Sequence, residues 1–150
     1  MAFLEDKYQK IKNELSRKKV VLVAVSKTKT KEDILEAYNN GVRDFGENYV
    51  QELVEKYEAL PKDIRWHFIG HLQTNKVKYK APFVHLVHGV DSEKLLAEIN
   101  KQGKRTNRVI PCLLQVYISK DETKFGFDEE ELIALFAKLA NNKETFTHIT

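Results

Sequence analysis

A lysine at the end of a predicted strand is the first residue in this sequence that could carry out chemistry. Lys27 follows residues 20–25, six consecutive apolar residues that are rich in β-branched side chains. Such a run is typical of a strand buried on both faces of a parallel sheet, whose carboxyl ends hold the chemistry of α/β proteins. An amine at the mouth of an apolar pocket loses hydration, so it becomes less basic and attacks carbonyl carbons at neutral pH. Lys27 is therefore a candidate nucleophile, and a solvated loop lysine is the alternative that its spacing leaves open.

Polar residues also follow other predicted strands. They are Gly46-Glu47-Asn48 after the second strand, Gly70-His71-Leu72-Gln73 after the third, and residues 121–126 after the fifth. In a barrel the carboxyl ends of the strands converge on one mouth, so these clusters and Ser26-Lys27-Thr28 together predict one binding site. Gly46 and Gly70 would allow a flat ligand to approach the backbone closely. Helix caps and turns are the alternative for Glu47 and Gln73.

The histidines do not form a convincing metal motif. His67 and His71 are four residues apart, but they lie across a predicted strand–loop junction, where this spacing does not align two rings. No cysteine or acidic residue offers an obvious third ligand, so we predict no metal site. The sequence also lacks a nucleophile elbow, a P-loop and a paired-carboxylate motif.

The composition is that of an ordinary globular domain. The chain has 150 residues, of which 31% are charged and 42% hydrophobic, and its net charge is +3. This length predicts a single domain over residues 1–150, and the small charge gives little support for a nucleic-acid partner. No apolar run approaches the roughly 18 residues of a membrane span, and the charged N-terminus does not resemble a signal peptide. We therefore expect a cytoplasmic protein that binds neither nucleic acid nor membranes.

Predicted strands and helices alternate along the whole chain. Capping residues mark two helices, Thr30 with Asp33 and Asp128 with Glu131. The predicted strands cover residues 20–25, 44–46, 66–70, 83–90 and 109–118, and a sixth begins at residues 145–149. This alternation, without a glycine-rich fingerprint after the first strand, favours a (β/α)₈ barrel over a dinucleotide-binding sheet.

The length accommodates only part of such a barrel. A complete (β/α)₈ barrel needs about 200 residues or more. The predicted fold is therefore α/β of the TIM-barrel type, as an incomplete barrel of about six strands. Its first and last strands would each lack a neighbour, so we expect Val21 and Val23 to be more exposed than their apolar character suggests.

Five motifs together resemble one protein family closely. They occupy residues 23–29, 45–52, 66–76, 90–92 and 124–127. They are similar to those of the pyridoxal phosphate homeostasis proteins (the YggS/PROSC family), which are related to the barrel domain of alanine racemase. The resemblance covers nearly the whole chain, and the second and third motifs are the most specific.

The resemblance implies a pyridoxal 5′-phosphate (PLP) site. It implies that PLP is held as a Schiff base on Lys27, that Asn48 lines the cofactor pocket, and that the backbone of Gly70 and His71 lies near it. Members of the family bind and supply the cofactor, with PLP-dependent apoenzymes as possible acceptors, and they are not established catalysts. Racemases use a second domain to place an opposing base over the cofactor, and 150 residues leave no room for one. We therefore expect no catalytic activity.

The sequence also departs from the family pattern. The family continues beyond the position of Thr150 with segments that bind the cofactor phosphate, so we expect a C-terminally truncated member that holds the covalent half of the site. Gly89 stands where the family usually has serine. Two alternatives stay open. One is a racemase-like or aldolase-like enzyme with a Schiff-base lysine, and the other is an inactive fragment that lacks the phosphate site.

Overall fold

The computed structural model describes residues 3–119 and 125–150. The chain divides into two compact units, Met1–His67 and Phe68–Thr150. Within the described ranges, no helix combines the length and the apolar character needed to cross a bilayer.

The first unit alternates helices and strands as the sequence predicts. Its elements are α1 (Glu5–Leu15), β1 (Ala24–Val25), α2 (Lys31–Asn39), β2 (Asp44–Glu47), α3 (Val50–Ala59) and β3 (Arg65–Phe68), whose last residue begins the second unit. The strand order is β1–β2–β3. β1 and β2 are parallel, with Ala24 opposite Phe45 and Val25 opposite Gly46. This register places the residues that follow both strands side by side.

Local sequence signals set the ends of α2, and a compact core lies beneath the helices. The Thr30 hydroxyl accepts a hydrogen bond from the Asp33 amide while the Asp33 carboxylate accepts one from the Thr30 amide, as the predicted capping box requires. Phe45 and Trp66 are fully buried, with ring centroids 5.9 Å apart. The buried strands therefore provide a rigid base for the loops at their ends.

The first strand is much shorter than predicted. Only Ala24 and Val25 of residues 20–25 form a strand, and Val21 is 67% exposed. β1 pairs with β2, and no other strand in the described residues pairs with it. Residues before Ala24 consequently have no ladder to join, and the apolar run alone does not make a strand. The prediction that Val21 is exposed is confirmed, whereas Val23 is half-buried.

The second unit continues the alternation. After a 3₁₀ turn (Thr74–Lys76) come α4 (Val77–Lys80), β4 (Leu86–Val90), α5 (Glu93–Thr106), β5 (Cys112–Leu114) and α6 (Glu129–Asn141). β4 and β5 are parallel, with Val87 opposite Cys112. β5 is shorter than the predicted 109–118, and its register with β4 shifts between the pairs at Val87 and Val90.

Of the predicted sixth strand, the described residues form only the first contacts, at Ile149 and Thr150. Ile149 forms a parallel bridge with Ile110, and the Thr150 amide donates to the Ile110 carbonyl. α5 lies close to this segment, since a Cβ on Gly103 would lie 2.7 Å from the His148 carbonyl. The second unit therefore contains two strands and the start of another.

Candidate functional site

Lys27 lies on a tight turn directly beyond β1. The Lys29 amide donates to the Ser26 carbonyl over 3.0 Å, which closes the turn. Thr28 has a φ of 64°, a left-handed conformation that β-branched residues rarely adopt. The Lys27 side chain is exposed and makes no hydrogen bond or ion pair within the described ranges. The turn thus presents a free primary amine to solvent, whereas the sequence suggested a more enclosed one.

A buried polar network lies beneath this turn. Lys56 of α3 is 4% exposed, and its Nζ donates to the Ser26 carbonyl (2.7 Å), to Glu47 Oε1 (2.7 Å) and to Glu52 Oε1 (2.6 Å). The Ser26 hydroxyl donates to the same Glu47 oxygen over 2.5 Å. All three protons of the ammonium group are therefore used, and the network ties the end of β1 to the end of β2 and to α3.

Glu47 is the fully buried member of the network. Burial raises the pKa of its carboxyl group, although hydrogen bonds from Lys56 and Ser26 act in the opposite direction. Its Oε2 atom has no hydrogen-bond partner within the described residues. A buried carboxylate is tolerated at this position because the Lys56 ammonium compensates its charge. Glu47 therefore joins β2 to α3 through this ion pair.

Asn48 stands next to Lys27 in the strand register. Lys27 lies two residues beyond Val25, and Asn48 lies two residues beyond Gly46, the residue opposite Val25. Its Oδ1 atom is buried and has no hydrogen-bond partner among the described residues. An unpaired buried acceptor is costly, so Asn48 offers a vacant hydrogen-bonding position beside the Lys27 turn.

In the second unit, His71 lies in the loop after β3. Its Nδ1 is 3.2 Å from Oδ2 of Asp91, the residue that follows β4, and its ring stacks on Phe125 with centroids 4.3 Å apart. The His71 side chain is about half exposed, and that of Asp91 is largely buried. Asp91 and Phe125 therefore both contact the ring of His71, about half of which stays exposed.

Gly70 belongs to the same cluster in the second unit. A Cβ on Gly89 would lie 3.3 Å from the Gly70 carbonyl and 3.2 Å from Oε1 of Gln115. Gln115 follows β5 and donates through Nε2 to the Phe125 carbonyl over 2.7 Å. Gly70 and Gln115 therefore both lie close to β4 at Gly89, and glycine at this position allows Gln115 to approach the strand.

Two other predicted features have different outcomes. Residues 121–124 of the predicted cluster after the fifth strand, including Lys124, lie outside the described residues.

In the first unit His67 is buried, and its Nε2 lies 2.9 Å from Asp44 Oδ1. Burial would raise the pKa of Asp44, but hydrogen bonds from Arg65 and His67 hold it below its usual value. His67 and Asp44 therefore form a buried pair in this unit.

Sequence reasoning missed Lys56 and Glu52 as partners of the Lys27 turn. Their contacts with it span 30 and 24 residues of sequence, which no local pattern reports. The available signal was the spacing of Lys56 from Leu53 and Leu60, which places a charged residue on the buried face of α3.

Comparison with known proteins decides the family. Residues 1–150 match the family described as alanine racemase, N-terminal domain. The chain belongs to the alanine racemase N-terminal domain family. The expected fold class is thereby confirmed: this is the α/β, TIM-barrel-like fold of that family, with five strands and the start of a sixth in the described residues.

Similar proteins also include those named in the sequence resemblance. This member of the family is 47% identical over 116 residues to the pyridoxal phosphate homeostasis protein of Aquifex aeolicus (strain VF5), an alignment that covers 77% of this chain and 51% of the relative. The human protein of the same name is 42% identical over 123 residues, covering 76% of this chain and 45% of the relative. The chain spans about half the length of these relatives.

Solved structures agree with this assignment. PipY of Synechococcus elongatus PCC7942, solved without PLP, superposes with a TM-score of 0.89 at 31% identity, covering 99% of this chain and 67% of PipY. PipY with PLP bound gives a TM-score of 0.86 at 30% identity over the same shares of the two chains. The resemblance read from the five motifs is confirmed at the level of both sequence and fold.

Proposed function

We propose that this chain binds pyridoxal 5′-phosphate covalently through Lys27 and takes part in PLP homeostasis. The observation that carries the proposal is the turn beyond β1, which presents the Lys27 amine without a competing partner in the described residues. Similar proteins named for PLP homeostasis, and PipY solved with PLP, support the assignment.

The residues present fit this cofactor. PLP supplies an aldehyde that condenses with a primary amine and releases water. Lys27 provides that amine, and the unpaired Oδ1 of Asn48 provides a hydrogen-bonding position beside it. Gly70 and His71 stay further binding residues that the family resemblance implies for PLP, and the His71 ring contacts Asp91 within the second unit.

The exposure of Lys27 favours a carrier over a catalyst. An exposed amine allows the cofactor to enter and leave without opening a lid. Catalysis needs an acid or base within hydrogen-bond reach of the reacting atom, whereas Glu47, Glu52 and Lys56 are engaged with one another. We therefore propose that the chain has no catalytic activity of its own.

A racemase-like activity is the second candidate, because the matching family is that of an alanine racemase domain. Racemisation needs a proton-transferring group, and within the second unit His71 and Asp91 form an ionisable pair. Incubation of the PLP-loaded chain with alanine in deuterium oxide separates the two candidates. Incorporation of deuterium at the α-carbon, lost in His71→Ala, would establish the enzyme, and no incorporation above free PLP would support the carrier.

Titration with PLP tests binding itself. The unchanged chain should develop the absorbance of protein-bound PLP with a saturable dependence on concentration. Lys27→Ala should abolish this change, whereas Lys29→Ala, which removes another exposed lysine from the same turn, should retain it. Equal spectra for all three proteins would contradict the proposal. The cytoplasmic location and the PLP-dependent apoenzymes as acceptors stay predictions.

A further inference from the structure

The turn that carries Lys27 is held in an unfavourable backbone conformation. Thr28 has a φ of 64°, where its branched side chain is crowded against the backbone. Such a residue persists only where its surroundings enforce the conformation. The contacts of the neighbouring residues show what enforces it here.

Two residues of α3 anchor the turn on both sides of Lys27. Glu52 Oε1 accepts a hydrogen bond from the Thr28 amide over 2.6 Å. The same oxygen accepts one from Lys56 Nζ, which also donates to the Ser26 carbonyl. Ser26 and Thr28 flank Lys27, so the Glu52–Lys56 pair fixes both neighbours of the reactive residue and leaves its side chain free.

We propose that Glu52, held in place by Lys56, is a positioning residue that keeps the Ser26–Lys29 turn in the conformation that presents the Lys27 amine to the cofactor. The inference has two parts. The restraint of the turn by Glu52 concerns this chain alone, whereas the presentation of Lys27 to PLP rests on the proposed function.

Glu52→Met tests the inference. The substitution keeps a side chain of similar length and removes the oxygen acceptor at a position that is 25% exposed, so the chain should still fold. Two quantities are measured. One is the hydrogen-exchange rate of the Thr28 amide without cofactor, and the other is the ratio of pyridoxyl label on Lys27 to that on Lys29 after brief exposure to PLP and borohydride.

We expect both quantities to change. Loss of one charge-assisted hydrogen bond should raise the Thr28 exchange rate about ten- to a hundredfold and lower the Lys27-to-Lys29 label ratio about tenfold or more. Glu52→Gln retains an acceptor oxygen and should restore both to within about threefold of the unchanged chain. Glu55→Met removes an exposed carboxylate from the same helix, where it contacts Gln51, and should change neither.

The outcomes separate this inference from the proposed function. Unchanged exchange in Glu52→Met overturns the inference, and so does faster exchange with an unchanged label ratio. If no lysine of the unchanged chain takes up label while Thr28 exchange still rises in Glu52→Met, the proposed function fails and the restraint of the turn stands.

Discussion

The amine of Lys80 lies 2.9 Å from the centroid of the Phe68 ring, within the second unit. Lys80 is 1% exposed, and its Nζ has no hydrogen-bond partner in the described residues. Burial lowers the pKa of this amine to about 6. The side chain is therefore mostly neutral in the folded protein at pH 7, whereas it is charged in the unfolded chain.

Lys80 should make the stability of the protein depend on pH. Because the folded pKa is below the unfolded value, the unfolded state binds the extra proton between pH 6 and about 10, and stability rises with pH over that range by about 1.4 kcal/mol per unit. Below pH 6 the full penalty is present. Lys80→Met should stabilise the protein at pH 7 by roughly a few kcal/mol, and it should remove the rise of stability with pH.

Urea denaturation at pH 6, 7.5 and 9 measures this effect. Lys78→Met is the matched control, since Lys78 is an exposed residue of the same helix, α4. A pH slope that is the same in Lys80→Met, Lys78→Met and the unchanged chain would contradict the burial of a neutral lysine.

Lys56→Met should have the opposite effect on stability. The substitution leaves the Glu47 carboxylate buried without its compensating charge, and removing one partner of a buried ion pair costs about 3–5 kcal/mol. The loss of unfolding free energy should be greater at pH 8 than at pH 5. At pH 5 the Glu47 carboxyl can take up a proton and be buried in its neutral form, because burial raises its pKa. Chemical denaturation of Lys56→Met at both values measures it.

A second substitution checks the cause. Adding Glu47→Gln to Lys56→Met should recover a large part of the lost free energy of unfolding and remove the pH dependence. If the double variant is less stable than Lys56→Met alone at pH 8, the buried charge is not the reason for the loss.

Local signals in the sequence predicted helices well. The capping pairs Thr30–Asp33 and Asp128–Glu131 form as expected, because a cap depends on residues three positions apart. The lengths of β1 and β5 were wrong, since a strand extends only as far as a partner strand accompanies it. A run of apolar residues contains no information about that partner.

The motifs predicted the candidate site residues, which stay a prediction, and they did not point to the supporting residues. Lys27 and Asn48 each lie two residues beyond a pair of opposed strand residues, Val25 and Gly46, as the pattern of polar strand ends suggests. Sequence reasoning also missed Lys80, although its spacing from Val77 and Val84, both buried, indicated an inward-facing side chain. Long-range contacts and the burial of charged residues both require the assembled fold.

Asn48→Ala should separate binding from stability. The unpaired buried Oδ1 contributes no hydrogen bond to the fold, so its removal should leave the free energy of unfolding unchanged or slightly raised. PLP affinity should fall by about one order of magnitude, the value of one hydrogen bond. Calorimetric titration and thermal unfolding measure the two quantities. A parallel loss of stability and affinity would show that Asn48 supports the fold and does not bind the cofactor.

The attachment of PLP to Lys27 is tested most directly by locating the label. The 150-residue chain is incubated with PLP, treated with borohydride to fix any bound pyridoxyl group, and digested for peptide mapping by mass spectrometry. The account predicts that Lys27 carries the label, with at most traces on any other lysine, because Lys27 follows β1 at the position that pairs in register with Asn48 after β2. Label distributed over Lys29, Lys76 and Lys124, or label that persists at equal yield in Lys27→Ala, would contradict it.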